Sequence, residues 1–141
     1  MKTIKLFISI VFLFSAIFCQ AQAKENKSKE GVYFVVEEMP VYPGGDEALR
    51  KDLAANIKYP EEAKKAGIQG KVYVTFVVDE QGKVTDAKIA RGVDPSLDKE
   101  SLRVIKELKT WNPGKEKGKA VKVSYTLPIN YALDGKPGEK E

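Results

Sequence analysis

The sequence predicts an α+β domain: a small antiparallel sheet, made of one hairpin and a C-terminal strand, covered on one face by helices. Three observations carry this. Apolar and polar residues alternate with period two over 70–78 and again over 121–131. Elsewhere apolar residues recur every three or four positions, the period of a half-buried helix. The turn Asp79-Glu80-Gln81-Gly82 separates two strand-like runs closely enough for a hairpin.

Residues 1–23 precede the domain. Met1-Lys2-Thr3-Ile4-Lys5 is a basic start, an apolar run follows to Cys19, and Ala21 and Ala23 stand at the spacing of a leader cleavage site. The run is shorter than the roughly 20 apolar residues of a spanning helix. A secretory signal cleaved after Ala23 is expected. An uncleaved anchor and a lipidated Cys19 are the alternatives, the second weakened by bulky Phe18 before the cysteine. Residues 24–31 are polar and charged, a disordered lead-in. The domain is expected over 32–133, with a disordered polar tail over 134–141.

Export narrows the chemistry. The chain has 24 basic and 20 acidic side chains, and the leader removes only Lys2 and Lys5. The exported part is then nearly neutral, which excludes a nucleic-acid charge profile. The single cysteine lies in the leader, so the domain has no disulfide and must hold itself together by its core. Histidine is absent, which removes the commonest general base and the commonest metal ligand. No cofactor and no metal are expected.

Along the domain, Val32-Tyr33-Phe34-Val35-Val36 reads as a first strand. Two prolines and two glycines make 39–45 a loop. Asp46 then caps a helix to about Asn56, with Leu49, Leu53 and Ile57 as its apolar stripe. The stretch from Tyr59 to Val72, "YPEEAKKAGIQGKV", follows. Pro60 suits a first helical position. Glu61 and Glu62 sit where the helix dipole favours negative charge, with Lys64 and Lys65 at the other end. Ala63 and Ala66 press the short helix against the sheet. Gly67 is the left-handed stop, and Gly70 lets a strand begin at once.

In that strand Val72, Val74, Phe76 and Val78 alternate with Lys71, Tyr73 and Thr75. The return strand, 83–91, turns Ala87 and Ile89 inward. Val84 falls on the other face unless a bulge intervenes. Residues 94–98 are a loop ending in a cap at Asp98. The helix after it, to about Lys109, aligns Leu97, Ser101, Ile105 and Leu108. Trp111-Asn112-Pro113-Gly114 closes it, with the indole sealing the core. A basic loop, 115–119, leads to the last strand. There Val121, Val123, Tyr125, Leu127, Ile129 and Tyr131 alternate with Lys122, Ser124, Thr126, Pro128 and Asn130.

Gly67-Ile68-Gln69-Gly70 has the spacing of a Gly-x-x-Gly nucleic-acid clamp, but that clamp joins two helices and this one joins a helix to a strand. Asp94, Asp98 and Glu100 are close in sequence, and turn and cap roles account for them better than a catalytic pair does. No nucleophile–base pair is available, so an enzyme is not expected. The last strand is more informative. Lys122, Ser124, Thr126 and Asn130 defend its edge only mildly, and Pro128 marks an edge not fully paired within the chain. Such an edge can capture an extended peptide by strand addition.

The residues together resemble the C-terminal domain of TonB energy transducers. The pieces are "YPEEAKKAGIQGKVYVTFVVDEQGKV", "LDKESLRVIKELKTWNPG" and "GKAVKVSYTLPINY", with Tyr59, Pro60, Ala63, Gly67, Gly70, Trp111, Pro113 and Gly114 at the motif positions. The likeness spans about 32–131. It implies a periplasmic domain of TonB-dependent transport that pairs the N-terminal peptide of an outer-membrane transporter against residues 121–130. Full transducers also have a membrane helix carrying a histidine and a long proline-rich spacer. Here residues 24–31 reach at most about 28 Å, at about 3.5 Å per residue, so the likeness carries peptide binding rather than contact with a motor. The alternative is an envelope protein, in a complex or as a homodimer paired through the same edge.

The leader generates the first prediction. N-terminal sequencing of the periplasmic protein should begin near Lys24. Recovery of the full-length chain in the membrane fraction would support an anchor instead.

Overall fold

The computed structural model describes Ser28 and residues 30–133. The expected leader, most of the lead-in and the tail lie outside the described residues. The elements in chain order are α1 (Gly45–Asn56), α2 (Glu61–Lys65), β1 (Gly70–Val78), β2 (Val84–Arg91), α3 (Pro95–Lys106), β3 (Lys115–Glu116), β4 (Lys119–Ala120) and β5 (Val123–Tyr131). The main sheet has the order β2-β1-β5, and β3 and β4 form a separate two-stranded hairpin. The main sheet is antiparallel throughout. The predicted α+β layering is therefore present.

Period two puts Val72, Val74, Phe76 and Val78 of β1 on one face, and all four are fully buried. Opposite them lie Leu97, Val104 and Ile105 of α3, with Leu49 and Leu53 of α1 and Ala63 of α2. Each large apolar side chain so buried contributes roughly 1.5–3 kcal/mol. Tyr131 reaches the same core, where its hydroxyl meets Ser101 Oγ at 2.9 Å. Burial pushes the Tyr131 phenol up to about 12, so the hydroxyl stays protonated as part of this latch. Arg103 joins α3 to α1: it pairs with Glu100 at 2.6 Å and donates to the Asn56 carbonyl at 2.8 Å in the last turn of α1.

The stretch around Gly67 forms as the sequence implies, with two changes. Pro60 is the residue before α2 rather than its first helical residue, and Ala66 is exposed, so that Ala63 alone presses the helix on the core. Gly67 adopts φ +67°, its N–H donates to the Lys64 carbonyl, and the Ile68 N–H donates to the Ala63 carbonyl. Both bonds of a Schellman stop are present. Tyr59 donates its hydroxyl to the Ile68 carbonyl and meets Tyr131 edge-on, ring centres 5.5 Å apart, which pins the turn to the sheet.

Several expectations are corrected. Residues 32–36 form no strand; only Tyr33 makes a bridge, to Val123. Asp46 does not cap α1, which starts after Gly44 at φ +87° with no side-chain cap. Asp94, not Asp98, caps α3, accepting from the Ser96 N–H with Pro95 behind it, and α3 ends at Lys106. The basic loop is the β3–β4 hairpin, turning through Lys117 and Gly118, both at positive φ. Val121 and Lys122 precede β5 rather than belonging to it. Val84 does face the core side, because β2 has a bulge at Asp86 (φ +50°) that resets the alternation.

Two glycines at positive φ separate strain from contact. A Cβ on Gly67 would meet nothing within 4 Å, whereas one on Gly82 would lie 1.8 Å from the Trp111 carbonyl oxygen. Gly67→Val should cost about 1–2 kcal/mol through left-handed strain alone. Gly82→Ala should cost more than about 3 kcal/mol, since the Trp111 loop must also move. Urea denaturation measures both, and equal midpoints would contradict the packing account.

Candidate functional site

β1 is paired along both sides, so the sheet has two edges, one on β2 and one on β5. They differ. β2 is interrupted at two places in its pairing with β1, and Asp86, Lys88 and Arg91 are exposed along it. Bulges and charges are the usual means of blunting an edge. β5 instead runs against β1 in unbroken register, from Gly70 opposite Tyr131 to Val78 opposite Val123.

That register decides which backbone groups of β5 face outward. Ser124 donates its N–H away from β1, to the Tyr33 carbonyl at 2.8 Å. In an antiparallel strand such groups alternate. Thr126, Pro128 and Asn130 therefore also turn their backbone groups to the outer side. The 2.9 Å contact between the Thr75 and Thr126 hydroxyls agrees, because side chains come closest at pairs that exchange no backbone bond. Pro128 thus sits where a missing N–H costs the sheet nothing. Among the described residues, only Tyr33 pairs with this side of β5.

The predicted edge residues divide by face. Val123, Ile129 and Tyr131 are buried, while Tyr125 and Leu127 pack on the core but remain partly exposed. Thr126 and Pro128 are exposed on the opposite face, and Ser124 and Asn130 are partly so. Lys122 lies before the strand, its carbonyl accepting the Tyr33 N–H at 2.8 Å. A docked strand would place alternate side chains beside Tyr125 and Leu127 on one face and beside Thr126 and Pro128 on the other.

The motif residues serve this strand from behind. Trp111 is 3% exposed. It packs against Tyr42, Phe76 and Tyr125 with ring centres 5.2–5.6 Å apart, so it is core rather than a binding platform. Its backbone N–H donates to the Gly82 carbonyl, holding the loop to the β1–β2 turn. A Cβ on Gly114 would lie 2.6 Å from the Val123 side chain, so only glycine lets the chain pass this close beneath the start of β5. Pro113 lies between these two contacts, half-buried.

The three carboxylates are in structural use. Asp94 caps α3, Asp98 accepts from the Val93 N–H at 3.1 Å, and Glu100 accepts from Lys58 N–H and Arg103. Hydrogen bonding from Arg103 holds the Glu100 carboxyl below its usual range. A groove of about 340 Å3 opens beside this pair, between Tyr59, Pro60 and Ser96. A larger one, of about 530 Å3, lies on the sheet face away from the core, between Val32 and Phe34 above and Thr75 and Val77 below. Sequence reasoning did not anticipate this second cover. Two apolar residues that line it, Phe34 and Val77, were its traces in the sequence.

The chain is 33% identical to Protein TonB of Haemophilus influenzae over 57% of its length and 31% of that protein. It is 34% identical to Protein TonB of Pseudomonas putida over 60% of this chain and 35% of that one. It is 31% identical to Protein TonB of Helicobacter pylori over 78% of this chain and 38% of that one. The chain thus spans about a third of the length of the curated relatives it matches. Two solution NMR structures of the Helicobacter pylori TonB C-terminal domain are 26% identical to it. They cover 63% and 62% of this chain and 94% and 78% of their own, with TM-scores of 0.49 and 0.48. The family described as Gram-negative bacterial TonB protein C-terminal matches residues 55–133, more than half of the chain. The chain belongs to the TonB C-terminal family.

Proposed function

We propose that the domain binds, in the periplasm, the N-terminal peptide of TonB-dependent outer-membrane transporters, by adding the peptide as a strand to the outer side of β5. The carrying observation is the unequal pair of edges: β2 is bulged and charged, while β5 is regular and, among the described residues, open beyond Ser124. Backbone groups supply the affinity in strand addition, each hydrogen bond being worth about 0.5–1.5 kcal/mol net. Side chains beside Tyr125 and Leu127 then add selectivity. The leader-like pattern of residues 1–23 supports a periplasmic setting. A homodimer through β5 would use the same groups, and light scattering on the purified chain separates it from peptide capture.

Thr126→Pro tests the site. Thr126 exchanges no backbone bond with β1 in this register, so the variant should fold, confirmed by circular dichroism. It loses an outward N–H at the centre of the open edge. Titration of a fluorescent transporter N-terminal peptide should show affinity lower by tenfold or more, about 1.4 kcal/mol. Thr126→Val, which keeps the N–H, should bind close to the parent. A folded Thr126→Pro that binds at parental strength would show that this edge is not the site.

A further inference from the structure

The segment before α1 touches the proposed docking edge at one residue and then leaves it. Tyr33 bridges Val123 in parallel, donating to the Lys122 carbonyl and accepting from the Ser124 N–H, both at 2.8 Å. Immediately after it, Phe34 and Val35 are 54% and 61% exposed. Had the segment continued along β5, Val35 would face Tyr125 and be covered. It turns off instead toward the β3–β4 hairpin.

The contact is held to the domain downstream and preceded upstream by a local turn. Upstream, Ser28 and Val32 close a turn, with Ser28 N–H to the Val32 carbonyl at 2.7 Å and Val32 N–H to Ser28 Oγ at 3.2 Å. Downstream, Val36 is buried at 8% exposure. Glu38 and Lys115 exchange backbone bonds at 3.0 and 2.8 Å, and Val41 and Asn112 do so at 3.1 and 2.8 Å. Displacing Tyr33 from β5 would work against the downstream anchor at Glu38 and Val41.

We propose that Tyr33 is a register stop for the strand captured on β5, an inference that rests on the strand-addition reading above. It consumes the outward groups of Lys122 and Ser124 N–H. Among the described residues, what it leaves is the Ser124 carbonyl, both groups of Thr126, the Pro128 carbonyl and both groups of Asn130. The partner is then an extended segment of about seven residues, matching a span of roughly 20 Å at about 3.3 Å per residue. Its first backbone bond falls at the Ser124 carbonyl. A one-residue slip would turn every captured side chain to the other face, so a fixed end gives the complex one register. Pro128 marks the far half, where one acceptor of the captured strand has no donor opposite.

Amide-resolved hydrogen exchange on the chain, with and without the fluorescent transporter peptide, tests this. In the parent, peptide should slow exchange at Thr126 and Asn130 by tenfold or more and leave Tyr33 and Ser124 unchanged. In Tyr33→Pro, which lacks the N–H that reaches Lys122, Ser124 should exchange faster in the free chain and be slowed by peptide, a footprint longer at that end. Tyr33→Phe, with its backbone intact, should behave as the parent. Faster exchange at Tyr33 on adding peptide to the parent would overturn the stop, since the segment would then be a displaced competitor. So would a footprint in folded Tyr33→Pro identical to the parent's. If Thr126 and Asn130 are not slowed in any variant, strand addition itself fails and the stop falls with it.

Discussion

The two-sided pairing of β1 is the constraint from which the rest of the structure follows. A central strand with four fully buried side chains on one face needs neighbours on both sides, because unpaired backbone groups inside the fold would be expensive. β2 and β5 meet that need and in doing so become edges. A bulge bends β2, re-aims Val84 toward the core and spoils β2 as a template. β5 has no bulge because its inward side chains, from Val123 to Tyr131, must stay in step with β1 to fill the core. The regularity that the core imposes on β5 is what the proposed strand addition relies on.

Much of this was legible in the sequence because it depends on local rules. The alternation over 121–131 identified the last strand and its inward face. Pro128 identified the edge, since a proline is tolerated only where an N–H is not needed. Gly67 was readable as a stop because an acidic first turn, a basic last turn and glycine agree. The errors have equally specific causes. Val32 to Val36 has strand composition, but β propensity says nothing about whether a neighbour exists. Past Tyr33 the segment is steered instead to the β3–β4 hairpin, through Glu38 and Lys115. Asp98 drew the cap away from Asp94, although Pro95 in the first helical turn pointed to the earlier residue. The β3–β4 hairpin has only two residues in each strand, too few for any period to show. The outward direction of particular backbone groups was beyond sequence reasoning, since it depends on register with β1.

Family membership and edge geometry constrain the function in different ways. The family places the chain with the C-terminal parts of TonB proteins, of which it spans about a third. The geometry bears on the proposed docking edge: it is the one regular edge, beside two part-exposed apolar side chains, with Trp111, Gly82 and Gly114 bracing the strand from behind. Rigidity matters here. An edge that is already straight and in register binds a peptide without first ordering itself, so less of the backbone hydrogen-bonding energy is lost to entropy.

The most direct test is an isotope-filtered NMR measurement of the labelled chain bound to an unlabelled transporter N-terminal peptide, looking for backbone proton contacts between the two. The account predicts contacts from the peptide to the amide protons of Thr126 and Asn130 and to protons of Pro128, in the pattern of an added strand. Contacts confined to the Lys115–Glu116 and Lys119–Ala120 hairpin or to the helices, with none along β5, would contradict it.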